Sequence, residues 1–173
     1  MVFFPHEIKI SRSLRKTLCA GNYQVRLDHA FPEVIRACAN IRRQGRESTW
    51  ITEDMLSAYI TLFELGFAHS VETWVDNELV GGLYGLSIGK MFYGESMFSK
   101  KTNTSKIALA HLIRYLDKRL YGLVDCQMNT PHLASLGARE IPRRDFLNRL
   151  RELILIPPLR SRWPEDDAAR LWS

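Results

Sequence analysis

The sequence predicts an α+β domain built on a mostly antiparallel central sheet flanked by helices. Three observations lead there. Residues 68–75, 78–88 and 91–98 are rich in Val, Tyr, Phe and Trp, and the turn pairs Asp76-Asn77 and Gly89-Lys90 separate them, the pattern of consecutive hairpins. A long amphipathic segment follows, with Leu109, Leu112, Ile113, Leu116 and Leu120 at helical spacing up to Gly122. Leu123-Val124-Asp125-Cys126-Gln127-Met128 then reads as one more strand.

The other elements follow in order. Ser11 caps a basic helix carrying Arg12, Arg15 and Lys16 that stops at Gly21. Tyr23, Val25 and Leu27 alternate with polar residues, so 23–28 is a strand. Asp28 is placed to cap a helix bearing Phe31, Val34, Ile35 and Cys38, and Arg42-Arg43-Gln44-Gly45-Arg46 is a loop. Thr52, ahead of Glu53 and Asp54, starts a helix with Met55, Tyr59, Leu62 and Phe63 on one face, closed by Gly66. The chain finishes with a turn at Pro131, a helix over 143–153 and a Pro-rich tail.

Composition removes several classes of function. The 173 residues suit one compact domain, and 46% hydrophobic with 25% charged residues is the balance of an ordinary globule. No apolar run approaches the roughly 20 residues a membrane-spanning helix needs. Met1-Val2-Phe3-Phe4-Pro5-His6-Glu7 lacks the layout of a secretory signal. Cys19, Cys38 and Cys126 are an odd, unspaced set, which points to a reduced cytoplasmic protein. The five histidines are dispersed, so neither a metal nor a cofactor is expected, and the motifs of serine hydrolases and nucleotide hydrolases are missing. Residues 1–47 hold nine basic and four acidic side chains, the whole net charge of +5. That asymmetry suits a polyanion docking on one side, or a solvated face of no special purpose.

Three segments offer chemistry. Glu95 lies in a strand among aromatics and methionine, with Tyr93 and Met97 expected on its face. A carboxylate there needs a cation or donors, and Gly94 would let another backbone come close; the plainer reading is a rim carboxylate facing water. Asp125 and Gln127, two apart on the next strand, are expected to point the same way. An acid beside an amide can hold and deprotonate an amine, and the covered character of the strand favours this over an exposed polar face. Thr104-Ser105-Lys106 begins a helix after two lysines, which suits a phosphate or, more plainly, an ordinary cap. The loop before it has no glycine, which counts against a coenzyme A pyrophosphate.

The order of elements resembles the Gcn5-related N-acyltransferases, where two neighbouring strands splay apart to admit an acyl donor. A closer resemblance rests on seven collinear strings: 48–52 (STWIT), 66–72 (GFAHSVE), 78–85 (ELVGGLYG), 92–99 (FYGESMFS), 103–106 (NTSK), 125–127 (DCQ) and 132–143 (HLASLGAREIPR). Together they resemble the bacterial leucyl/phenylalanyl-tRNA–protein transferases over roughly residues 7–150. The resemblance implies transfer of Leu or Phe from aminoacyl-tRNA to proteins with an amino-terminal Arg or Lys, a degradation tag. By the same resemblance, Asp125, Gln127 and Glu95 are the catalytic candidates. Leu83, Phe92, Met97, Leu109, Leu112, Leu116, Val124 and Trp50 line the donor pocket, although in any domain much of such a stripe is plain core. Arg12, Arg15 and Lys16, with Arg42 and Arg43, hold the acceptor-stem phosphates. Positions 112 and 116 are aromatic in some members and Leu here, which alters the pocket's size. Members usually carry a further amino-terminal segment. Residues 1–22 are accordingly read as a basic remnant of an amino-terminal domain with Phe3, Phe4 and Pro5 exposed, 23–155 as the catalytic domain and 156–173 as a tail. The alternatives are a coenzyme A-dependent N-acyltransferase and a non-catalytic RNA- or protein-binding remnant.

Overall fold

Six strands form one sheet in the order β1-β6-β5-β4-β3-β2. The computed structural model describes residues 1–40, 51–157 and 161–164. Strands β2 (Gln24–Leu27), β3 (Ala68–Val75), β4 (Glu78–Ile88) and β5 (Met91–Ser99) are successively antiparallel. Strand β6 (Leu123–Asp125) lies parallel to β5, and β1 (Val2–Phe3) closes the far edge antiparallel to β6. At the β3–β4 turn, Asp76 and Asn77 have φ of 52° and 60°. Both angles suit the mirror-image turn that matches strand twist, and Asx residues tolerate them.

Helices cover both faces. Helix α4 (Thr104–Lys118) packs across β3, β4 and β5, sealing Val71, Leu83, Phe92 and Val124 against Leu109, Leu112, Ile113 and Leu116. Helices α2 (Phe31–Ala39) and α3 (Glu53–Glu64) cover the other face, where Phe31 stacks on Phe63 with centroids 4.6 Å apart. Helix α1 (Arg12–Ala20) adds Leu14 and Leu18 to the α4 side; the Ser11 hydroxyl accepts from Leu14 N–H at 3.2 Å, and Gly21 ends the helix at φ +68°. Short α5 (Pro131–Ser135) and then α6 (Arg143–Leu153) follow β6.

Five expectations need correction. Asp28 caps nothing: it has φ +53°, its side chain is buried, and α2 begins at Ala30, whose N–H is taken by Glu72 instead. Helix α4 stops at Lys118 rather than Gly122, so Leu120 lies past its end and is 82% exposed. Strand β6 ends at Asp125, because Gln127 turns the chain at φ +60°. Phe3 and Phe4 are buried, since β1 pairs with β6 and Arg139 covers Phe4 with its guanidinium. Finally, Gly85 pairs with Gly94 and Tyr84 with Ser96, leaving Glu95 as an extra, bulged residue on β5. The bulge cancels the alternation, so Tyr93 packs beside Met91 and α6 while Met97 joins the α4 side.

The segment beyond 155 is not wholly apart from the core. Trp163 is buried; its ring stacks on His69 at 4.1 Å and its N–H donates to Asp28 Oδ2 at 2.7 Å.

Candidate active site

The β5–β6 ladder runs only through Met91, Phe92 and Tyr93. Beyond Tyr93, β5 continues to Ser99 while the other chain turns away after Asp125, and a slot of about 630 Å³ opens between them. Leu83, Met97, Leu109, Leu112, Val124 and Leu133 make its apolar wall. Glu95, Ser96, Gln127, Thr130 and His132 supply the polar lining. Five of the anticipated pocket residues therefore line the slot: Leu83, Met97, Leu109, Leu112 and Val124. Phe92 and Leu116 do not; both are fully buried in the core, Phe92 against Trp163. Trp50, Arg42 and Arg43 lie outside the described residues.

Asp125, Gln127 and Glu95 do come together, by a route that strand alternation does not foresee. The Gln127 N–H donates to Asp125 Oδ1 at 2.9 Å, a side-chain-locked turn, and its Nε2 donates to Glu95 Oε2 at 3.3 Å. The amide thus bridges two carboxylates at the slot's edge. Gly94 makes no exceptional approach, since an added Cβ would sit 3.5 Å from the Asp125 carbonyl oxygen. Gly85 carries the real constraint: a Cβ there would drive into the Tyr93 carbonyl and the Phe92 ring.

Tyr59 was foreseen only as part of an apolar helix face. Its hydroxyl hydrogen-bonds Glu95; burial, then the Glu95 charge and that hydrogen bond, raise its pKa above the ordinary phenol value, so it remains a proton donor to the carboxylate. Burial, with Asp125 adding repulsion, pushes the Cys126 thiol up to about 12, which makes it a poor nucleophile. A tyrosine within one helical turn of the slot carried no sequence signal separating it from core.

The start of α4 is tied up internally. Thr104 Oγ1 donates to the Val80 carbonyl at 2.9 Å, and Ser99 Oγ accepts from Ser105 N–H at 3.4 Å. Those contacts make an ordinary structural cap rather than a cradle for phosphate. Arg12, Arg15 and Lys16 are exposed on the α1 face away from Leu14 and Leu18. Among the described residues no group of three His, Cys, Asp or Glu is placed to hold a metal ion.

A second polar cluster is sealed inside. Asp28 accepts from His69 Nδ1 at 2.7 Å, Ser70 N–H at 2.9 Å and Trp163 N–H. Glu72 Oε1 accepts from Ser70 Oγ at 2.6 Å and Ala30 N–H at 3.1 Å.

The family described as leucyl/phenylalanyl-tRNA protein transferase matches residues 2–151. The chain belongs to that family. Proteins named leucyl/phenylalanyl-tRNA–protein transferase are similar to it: one from Nitrosomonas europaea is 56% identical over 94% of this chain and 69% of its own length. Another, from Nitrosospira multiformis, is 58% identical over 89% of this chain and 66% of its own length. A third, from Chromobacterium violaceum, is 54% identical over 99% and 70%. This member of the transferase family thus spans roughly two thirds of such relatives. The aminoacyltransferase reading of the motifs is borne out. The solved structure titled "The structure of L-PGS from Bacillus licheniformis" overlaps 88% of this chain and 51% of that one at a TM-score of 0.47 and 10% identity, a likeness too loose to bear on function.

Proposed function

We propose that this transferase moves Leu or Phe from its tRNA to the α-amino group of cytoplasmic proteins beginning with Arg or Lys, using the slot between β5 and β6. The observation that carries the reading is the Asp125–Gln127–Glu95 bridge at the edge of an apolar slot. The splay of the two strands is the acyl-binding cleft of a Gcn5-related N-acyltransferase-like fold. The donor's side chain enters among Leu83, Leu109, Leu112 and Val124, where burial contributes about 1.5–3 kcal/mol towards selecting it.

The ester is already activated, so the step is aminolysis. The α-nitrogen attacks the acyl carbon, the amide bond forms, the ester C–O bond breaks, and the ammonium proton passes to the departing ribose oxygen. An α-amine has a pKa of roughly 7.7–8.0, so a useful fraction is neutral near pH 7. Asp125 assists deprotonation through Gln127, which orients the amine. Glu95, held by Gln127 and Tyr59, balances the positive charge of the acceptor's basic end or of the donor's free amine. Arg12, Arg15 and Lys16, with Arg42 and Arg43, hold acceptor-stem phosphates without reading sequence.

Incubation with Leu-tRNA and a peptide beginning with Arg is the test. Peptide carrying one added Leu is the expected product. Binding of the tRNA without product, or acylation only from acetyl-coenzyme A, would overturn the reading.

A further inference from the structure

His132 is the one imidazole lining the slot, and no role in the aminolysis falls to it. It sits in α5, half-buried, and its Nε2 is shut away without a hydrogen-bond partner. A buried polar atom left unpaired costs about 1–3 kcal/mol, so a fold keeps one where it serves something else. Burial, and then the Lys106 charge, lower the imidazole's pKa below its ordinary value. The ring is therefore neutral at pH 7, with one N–H and one lone pair. An N–H with no acceptor is the rarer buried orphan, and the nearby cation favours a bare lone pair. Nε2 thus carries the lone pair and Nδ1 the proton.

The slot's other groups are spoken for. The leucines and Val124 take the donor's side chain, and Asp125, Gln127 and Glu95 face the amine and acyl carbon. Thr130 Oγ1 is committed to the Leu133 N–H at 3.2 Å. What remains of the donor is its terminal sugar, and what remains of the polar lining is His132, with a lysine beside it suited to the adjoining phosphate. We propose that His132 binds the donor nucleoside, its neutral imidazole donating a hydrogen bond to the 2′-hydroxyl left free beside the 3′-ester. This rests on the transferase reading above. His132 binds and orients the leaving group; no proton changes hands at it.

The test pairs a protein variant with a donor variant. With ordinary Leu-tRNA, His132→Phe should raise KM for the donor about tenfold or more, leave KM for the Arg-peptide unchanged, and lower kcat less. His132→Asn, which keeps an N–H, should recover part of the loss. A tRNA ending in 2′-deoxyadenosine with Leu on the 3′-oxygen should cost the wild-type protein a comparable factor and His132→Phe nothing further. Additive losses, or a His132→Phe protein indistinguishable from wild type, would overturn the assignment while leaving the transferase reading standing. No transfer by the wild-type protein from either donor would overturn both.

Discussion

Two acid-rich clusters lie on the same sheet and behave in opposite ways. At β2–β3, Asp28 and Glu72 are sealed, with 5% and 0% exposure, and Asp28 has its carboxylate saturated by one imidazole and two backbone N–H groups. At the β5–β6 divergence, Asp125 and Glu95 are only part-buried and joined by a single exposed amide. Both clusters bring two carboxylates and an uncharged partner together. The first spends its acceptors on its own backbone and so locks the chain from Ala30 to Trp163. The second leaves lone pairs facing a slot and so can act on something else. Saturation, rather than the residue types, separates a lock from a tool.

The sharpest way to break this contrast is at Asp125. Asp125→Ala should lower turnover roughly 10²–10⁴-fold, the usual range for a positioned base, while tRNA affinity stays close to wild type. Equal losses in kcat and in tRNA binding would make Asp125 a structural residue like Asp28. Conversely, Asp28→Ala strands the His69, Ser70 and Trp163 donors in the interior, which should cost ~3–5 kcal/mol in urea unfolding. The folded fraction should keep its kcat.

Glu72 sharpens the comparison through pH. Burial lifts its carboxyl from 4.5 to about 7, against the lowering effect of Ser70 and Ala30. The folded chain therefore keeps a proton that the unfolded chain has released. Its contribution is full below pH 4.5, falls as pH rises, and is gone above about 7. The drop should total about 3 kcal/mol at 1.36 kcal/mol per unit. Glu72→Gln should flatten that part of the stability profile between pH 4.5 and 8, measured by urea midpoints across the range. An unchanged slope would mean that another group carries it.

The smallest effect is expected on α1. Replacing Arg12, Arg15 and Lys16 together with alanine should flatten the log–log salt dependence of tRNA binding by about one per lost phosphate contact, with kcat at saturating donor preserved. A slope identical to wild type would reduce that face to a solvated surface.

Much of the fold was legible from local physics. The hairpins followed from β-branched and aromatic runs between Asp-Asn and Gly-Lys turns. The α4 stripe followed from its period, and the starts of α1 and α3 from Ser11 and Thr52, whose hydroxyls accept from Leu14 and Met55. The catalytic trio was named correctly as a group but joined by the wrong reasoning. Strand alternation cannot anticipate a bulge at Glu95 or a left-handed turn at Gln127, because both depend on what a neighbouring strand does. Asp28 shows the same limit: an acid ahead of a helix is the local signature of a cap, and only the approach of His69 and Trp163 makes it a buried anchor.

The sequence by itself determined the elements, their order, the family and which residue types could carry the chemistry, since each of these is written in spacing and composition along the chain. The tertiary structure alone decided where β5 and β6 part, which leucines face the opening, and which carboxylates keep free lone pairs. Those outcomes depend on contacts between residues far apart in the chain, and only the packed sheet brings them together.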